Sequence, residues 1–254
     1  MKDLQWLLFL FCALFVYSQE ENRDGNTGVD KTEPVQQSDS SLEIKFNVKA
    51  KKLKEGGYEL LDNKLRAEFI LKGTFLSEYS IEIKNDSISI LSKFENNKWE
   101  YFDTIRHMFQ VLGTNEILLP TYRIVDFDND GNQDLVCWIS TNVNGNGWSV
   151  TYLNNPTREK LCLLWNSAEK DTRIWDSPVH NVKDSIISCI LLSGAFGLSF
   201  ESKYKLKDYR AIPIEKQEAD YSQLKKDGTG GIERSYIGKG SKWKLIKETK
   251  IEDD

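Results

Sequence analysis

The sequence predicts an all-β fold, either an antiparallel sandwich or a partial propeller-like meander, on three observations. Apolar and polar residues alternate at period two in many short segments. Turn-forming residues separate those segments at close spacing, and stretches of helical periodicity are scarce. Many short strands joined by tight turns are the pattern of a sandwich, barrel or propeller-like fold, and no repeat of fixed period runs through the chain.

The first element is Leu42-Glu43-Ile44-Lys45-Phe46-Asn47-Val48, whose alternation fits a half-buried strand. Residues 65–71 form the next. Ile81-Glu82-Ile83 and Ile88-Ser89-Ile90 flank Asn85-Asp86 and read as a hairpin. Further strands are expected at 98–102, 121–125, 135–140, 147–153, 160–165, 185–192, 200–206, 232–237 and 242–247. Turns are expected at Gly56-Gly57, Asn96-Asn97, Asn144 to Gly147, Asn154-Asn155-Pro156, Gly228 to Gly231 and Gly238 to Gly240. Residues 215–227 are the best short helical candidate.

The start of the chain carries the marks of an address. Met1-Lys2 precedes an apolar run from Leu4 to Tyr17, and Val16 and Ser18 supply small residues for a cut before Gln19. The run is shorter than the roughly 20 residues of a membrane-spanning helix. Residues 1–18 therefore read as a secretory signal, with no transmembrane segment left after cleavage. Residues 19–41 contain no aromatic and only two valines as large apolar side chains, a composition that fits a flexible spacer. A single all-β domain is expected over 42–250, in a protein that is secreted or periplasmic.

Composition narrows the function classes. The chain is 39% hydrophobic and 29% charged with a formal charge of −5, which argues against a membrane bundle and against nucleic acid as a partner. His107 and His180 are the only histidines, too few for a histidine-rich metal centre. Cys137, Cys162 and Cys189 follow the signal, and each lies in an apolar run. One disulfide with a spare thiol and three buried thiols are both compatible with that.

One motif carries chemistry. Residues 126–135 read Asp126-Phe127-Asp128-Asn129-Asp130-Gly131-Asn132-Gln133-Asp134-Leu135, with Asp at positions 1, 3, 5 and 9 and Gly at position 6. This is the ligand spacing of a calcium loop, in which a coiled backbone turns alternate oxygens towards a hard cation. Asp126, Asp128 and Asp130 are expected ligands, the backbone carbonyl of Asn132 supplies position 7, and Asp134 contributes directly or through water. Without a cation, so many carboxylates in one short loop repel each other. Position 12 is Cys137 rather than the bidentate Glu of an EF-hand, and β-rich apolar runs flank the loop. The motif is strand-loop-strand, and its affinity is expected in the weak extracellular range, on the order of 10⁻⁴–10⁻³ M.

The stretch from Asp126 to Leu135 is similar to the calcium loops of FG-GAP and VCBS-type repeats. A single copy in the middle of a secreted chain resembles periplasmic β-proteins related to type-I lysozyme inhibitors. There the matching stretches are Trp148-Ser149-Val150-Thr151-Tyr152-Leu153 and Pro178 to Ile187. The resemblance implies a calcium-stabilised β fold, with inhibitor activity in some members.

Other candidates are weaker. Trp148 and Trp175 are flanked by turn and polar residues and are candidate contacts for a partner, as is Phe196 in the Gly-rich turn Ser193 to Ser199. No catalytic residues are assigned. His107 reads as a surface histidine, the lysines of 49–54 as a solvated strand end, and Asn85-Asp86-Ser87 fits a glycosylation sequon. The expected function is a binding module for a protein or cell-wall component, such as an inhibitor of a cell-wall enzyme. The alternatives are a secreted hydrolase whose site is not evident in the sequence, and a surface adhesion or assembly component.

Overall fold

Alternation along the sequence becomes strand after strand in the computed structural model. The structure describes residues 42–44, 46, 50–52, 58–60, 65–85, 87–107, 110–112, 116–118, 120–141, 146–166, 168, 173–181, 183–191, 197–221 and 230–251. The chain divides into units Met1–Asp39 and Ser40–Asp254. Every described residue belongs to the second, so the expected signal and spacer lie outside the described residues.

Strand β1 is Leu42–Ile44. A small hairpin follows, β2 (Ala50–Lys52) with β3 (Tyr58–Leu60), then a four-stranded meander of β4 (Leu65–Leu71), β5 (Ser77–Ile83), β6 (Ile88–Glu95) and β7 (Lys98–Arg106). A second small hairpin pairs β8 (Gln110–Leu112) with β9 (Glu116–Leu118). Next come β10 (Thr121–Val125), β11 (Asp134–Thr141), β12 (Gly147–Asn155) and β13 (Lys160–Leu163), which pair in sequence order. Strand β1 lies beside β10. The short β14 (Trp165–Asn166) and β15 (Trp175–Asp176) precede the last meander. It comprises β16 (Val179–Asn181), β17 (Ile186–Leu191), β18 (Leu198–Lys207), β19 (Arg210–Asp220), β20 (Gly231–Lys239) and β21 (Lys242–Ile251). Among the described residues all pairings are antiparallel except that of β14 with β19. The fold class is all-β, with no helix among the described residues, so none there is long and apolar enough to cross a membrane.

Turn chemistry closes the hairpins. Asn96-Asn97 joins β6 to β7 with φ of 51° and 60°, and Asp208-Tyr209 joins β18 to β19 with φ of 49° and 61°. Two successive positive-φ residues make the turn whose twist matches the flanking strands, a position that Asn tolerates readily.

Three meanders stack into layers with β12 in the middle. The side chains of Val150 and Tyr152 belong to a core that also contains Leu71, Tyr79, Ile81, Leu91, Tyr122 and Leu135. That core fills the space between the β4–β7 sheet and the β10–β13 sheet. On the opposite face of β12, Leu153 joins Leu164, Trp175, Ile187, Cys189, Tyr204 and Ala211 against the last meander. Successive side chains of a strand point to opposite faces, so a strand between two layers is buried along its whole length. Buried hydroxyls tie the first two layers together, with Ser89 Oγ 2.7 Å from Tyr122 Oη and Leu161 N–H donating to Tyr79 Oη at 3.0 Å.

Three expectations change. The helix at 215–227 is not formed over its described part, because residues to Asp220 belong to β19 and pair on both sides with β18 and β20. His107 is buried at 4% exposure, not on the surface. Trp175 is also interior, at 1% exposure, with its indole N–H donating to the Leu164 carbonyl at 3.2 Å and its ring edge-on to Tyr204. Its ring therefore presents no surface for a partner contact in this fold. The lysine segment at 49–54 contributes Ala50–Lys52 to β2. Cys137 is a buried free thiol, Cys162 a half-buried one, and Cys189 is buried in the second core.

Candidate metal centre

Strand β10 ends at Val125 and β11 begins at Asp134, paired with each other, so residues 126–133 form the tip between two adjacent strands. The tip cannot be a simple hairpin turn, because backbone N–H groups fold inward onto carboxylates. Asp126 accepts from Asp130 N–H on Oδ1 and from Gly131 N–H on Oδ2, both at 3.0 Å, and Asp130 Oδ1 accepts from Asn132 N–H at 2.8 Å. Asn129 has φ of 58° and Gly131 φ of 87°, a conformation glycine adopts without strain.

The result is convergence. Asp126, Asp128 and Asp130 each present a carboxylate oxygen within 4.8 Å of the others. Asp128 Oδ1 is buried and has no hydrogen-bond partner among the described residues. Burial, followed by the charges of Asp130 and Asp126, pushes the Asp128 carboxyl up to about 6. An oxygen that is desolvated, undonated and beside two carboxylates suits a cation, which would supply the missing partner and reverse the pKa logic. The donor set is all oxygen, which fits calcium or magnesium better than a soft metal.

Asp134 is different. It is fully buried, and its two oxygens are taken by backbone donors: Oδ2 by Phe127 N–H at 2.8 Å and Oδ1 by Asn154 N–H at 2.7 Å. Burial pushes its carboxyl up to about 8, although the two N–H groups act in the opposite direction. It lies outside the three-carboxylate cluster and acts as a brace, tying the loop to the start of β11 and to β12. Asn132 also has a second job. Its side chain is buried and accepts from Thr74 N–H at 2.7 Å, while its backbone carbonyl remains the expected ligand.

Several contributors are not legible in the motif. Gln133 N–H donates to the Lys72 carbonyl at 2.7 Å, and Lys72 N–H donates back to Gln133 Oε1 at 2.9 Å. With Asn132 and Thr74, this docks the loop onto the β4–β5 turn. Gly73 permits the approach, since a Cβ there would lie 2.3 Å from Asn132 Oδ1. Phe127 packs against the second core and lies 5.8 Å from the His180 ring. Burial lowers the His180 pKa, opposed by the Phe127 backbone and the Asp126 charge. Tyr209 senses the site too: burial and then the charges of Asp130 and Asp128 raise its phenol. A turn glycine at 73 was the one sequence cue to any of these.

The remaining candidates are dispersed. Trp148 is half-buried and packs on the first core. Phe196 lies outside the described residues. No protein-family model matches the chain, and no curated protein matches it. A solved structure described as a Xanthomonas Type IV Secretion System related protein aligns at 14% identity with a TM-score of 0.43. The alignment covers 79% of this chain and 98% of that one. So loose a likeness assigns nothing to this chain.

Proposed function

We propose that this chain is a secreted calcium-binding β-module that acts by binding a partner, with calcium serving as a structural pin between β10 and β11. The observation that carries the reading is the convergence of Asp126, Asp128 and Asp130 around the undonated Asp128 Oδ1. The residue spacing of the loop and the all-oxygen donor set point the same way. The ligands are Asp126, Asp128, Asp130 and the Asn132 carbonyl, with Asp134 holding the loop in shape. A cation there rigidifies a loop already anchored to the β4–β5 turn and to β12.

The partner class is a protein or cell-wall component, and the similarity of the loop to those of lysozyme-inhibitor-like proteins makes a cell-wall enzyme the first to test. Calorimetric titration of the metal-free protein with calcium should give one site with a dissociation constant on the order of 10⁻⁴–10⁻³ M. Asp128→Ala and Asp130→Ala should abolish the heat. Heat of the same size in both variants would refute the site. A panel of lysozymes assayed in calcium, with and without the protein, tests the inhibitor reading, and unchanged rates throughout would sink it.

A further inference from the structure

The last meander has one face against the second core and one face open. Register assigns its residues to sides: Ile187, Cys189, Ser202, Tyr204 and Ala211 face inward, so Ile190, Lys205, Ile212, Ile237, Lys244 and Lys247 face out. The outward isoleucines are unusually bare, with Ile190 44%, Ile212 40% and Ile237 42% exposed. Ile214 and Ile246 stand exposed at the two bulges of the same sheet.

Cations alternate with them. Lys205, Lys207, Arg210, Lys242, Lys244 and Lys247 are all exposed, and none of them is in an ion pair among the described residues. The acidic side chains on this side are Glu201, Glu215 and Glu233, of which the first two pair with Lys203. A chain with a formal charge of −5 therefore presents one strongly positive, aliphatic sheet face.

We propose that this outer face of β17–β21 docks on an anionic lipid surface. The charge excludes a second copy of the same face, which would meet lysine with lysine. Protein-binding hot spots are aromatic or arginine anchors gathered in pockets, whereas these isoleucines are aliphatic and spread singly between lysines on an open sheet. A lipid headgroup layer asks for no pocket. It takes shallow aliphatic contacts, and flexible lysines whose stems lie along the apolar surface while their charges reach phosphate. The face is independent of the metal loop, so this inference goes beyond the proposed calcium module.

Co-sedimentation of the purified protein with phosphatidylcholine vesicles, with and without phosphatidylglycerol, tests this. Wild type should pellet with the anionic vesicles at low salt, stay in solution with the zwitterionic ones, and be released by added salt. Lys244→Glu with Lys247→Glu should lower partitioning by roughly tenfold or more. Ile212→Ser with Ile237→Ser should lower it several-fold, with melting midpoints of both variants near that of wild type. Absence of pelleting with anionic vesicles at low salt overturns the proposal. So does release by the lysine reversals but not by the isoleucine changes, which would make the face a site for a soluble polyanion.

Discussion

Asp128 and Asp134 hold carboxyls whose surroundings favour the protonated form, and this gives the metal-free protein a particular pH dependence. Their ordinary value is 3.8, and burial raises them to about 6 and about 8. The folded state thus binds protons that the unfolded state releases, and the stability this contributes is complete below about pH 4. It is lost as pH rises through 6 and 8. In chelator, the melting midpoint should fall between pH 5 and pH 8 through this pair, and Asp128→Asn should flatten the lower part of that fall. A midpoint that rises over this range by the same amount in wild type and variant would contradict the assignment. Asp134 and the clustered Asp130 also separate by role. Asp134→Ala removes the acceptor of two backbone N–H groups and should cost about 2–4 kcal/mol even in chelator, measured by urea unfolding. Asp130→Ala should cost little there and lose the response to calcium. At Thr151, the buried Oγ1 has no partner among the described residues. Thr151→Val should therefore raise the midpoint by a few degrees, about 1 kcal/mol, and a lower midpoint would show that the hydroxyl is satisfied.

The elements show where local signals decide and where they do not. Strands 65–71 and 121–125 fall at their expected bounds because turn-forming residues flank them and alternation runs through most of each, broken only at Ile70 and Val125. The second half of β19 contains Glu215-Lys216-Gln217-Glu218-Ala219, residues of high helix propensity, yet it is strand. Tertiary pairing overrides that propensity: Lys203 meets Glu215 across one edge, Arg234 meets Glu218 across the other, and Lys216 lies over the Phe200 ring. Pro213, awkward in a regular strand, sits at the bulge between β18 and β19. The loop motif was legible because its ligand spacing is local, while its anchor on the β4–β5 turn was not, because Lys72 and Gln133 are distant in sequence. Gly73→Ala tests that anchor. Its Cβ would press on Asn132, and a loss of about 1–3 kcal/mol in chemical unfolding is expected. Wild-type stability in this variant would mean that the turn moves away at no cost.

At the scale of the whole molecule, the fold class was readable but the layering was not. Period-two patterning names one buried face per strand, whereas β12 is buried on both, with Tyr152 in one core and Leu153 in the other. Its polar Ser149, Thr151 and Asn154 concealed that burial. Trp175 shows the same limit, since polar neighbours in sequence say little about a ring that fills an inter-sheet core. The acidic loop lies where these layers meet, linked to the β4–β5 turn by Gln133, to β12 by Asp134 and to the second core by Phe127. A cation bound only by the folded state should therefore raise the stability of the whole unit. The most direct measurement is a thermal melt of wild type and Asp128→Ala in calcium and in chelator. At a hundredfold excess of calcium over its dissociation constant, the wild type should gain about 2.7 kcal/mol and several degrees in midpoint, and the variant nothing. A wild-type midpoint that stays fixed, or an equal rise in the variant, would contradict the calcium site.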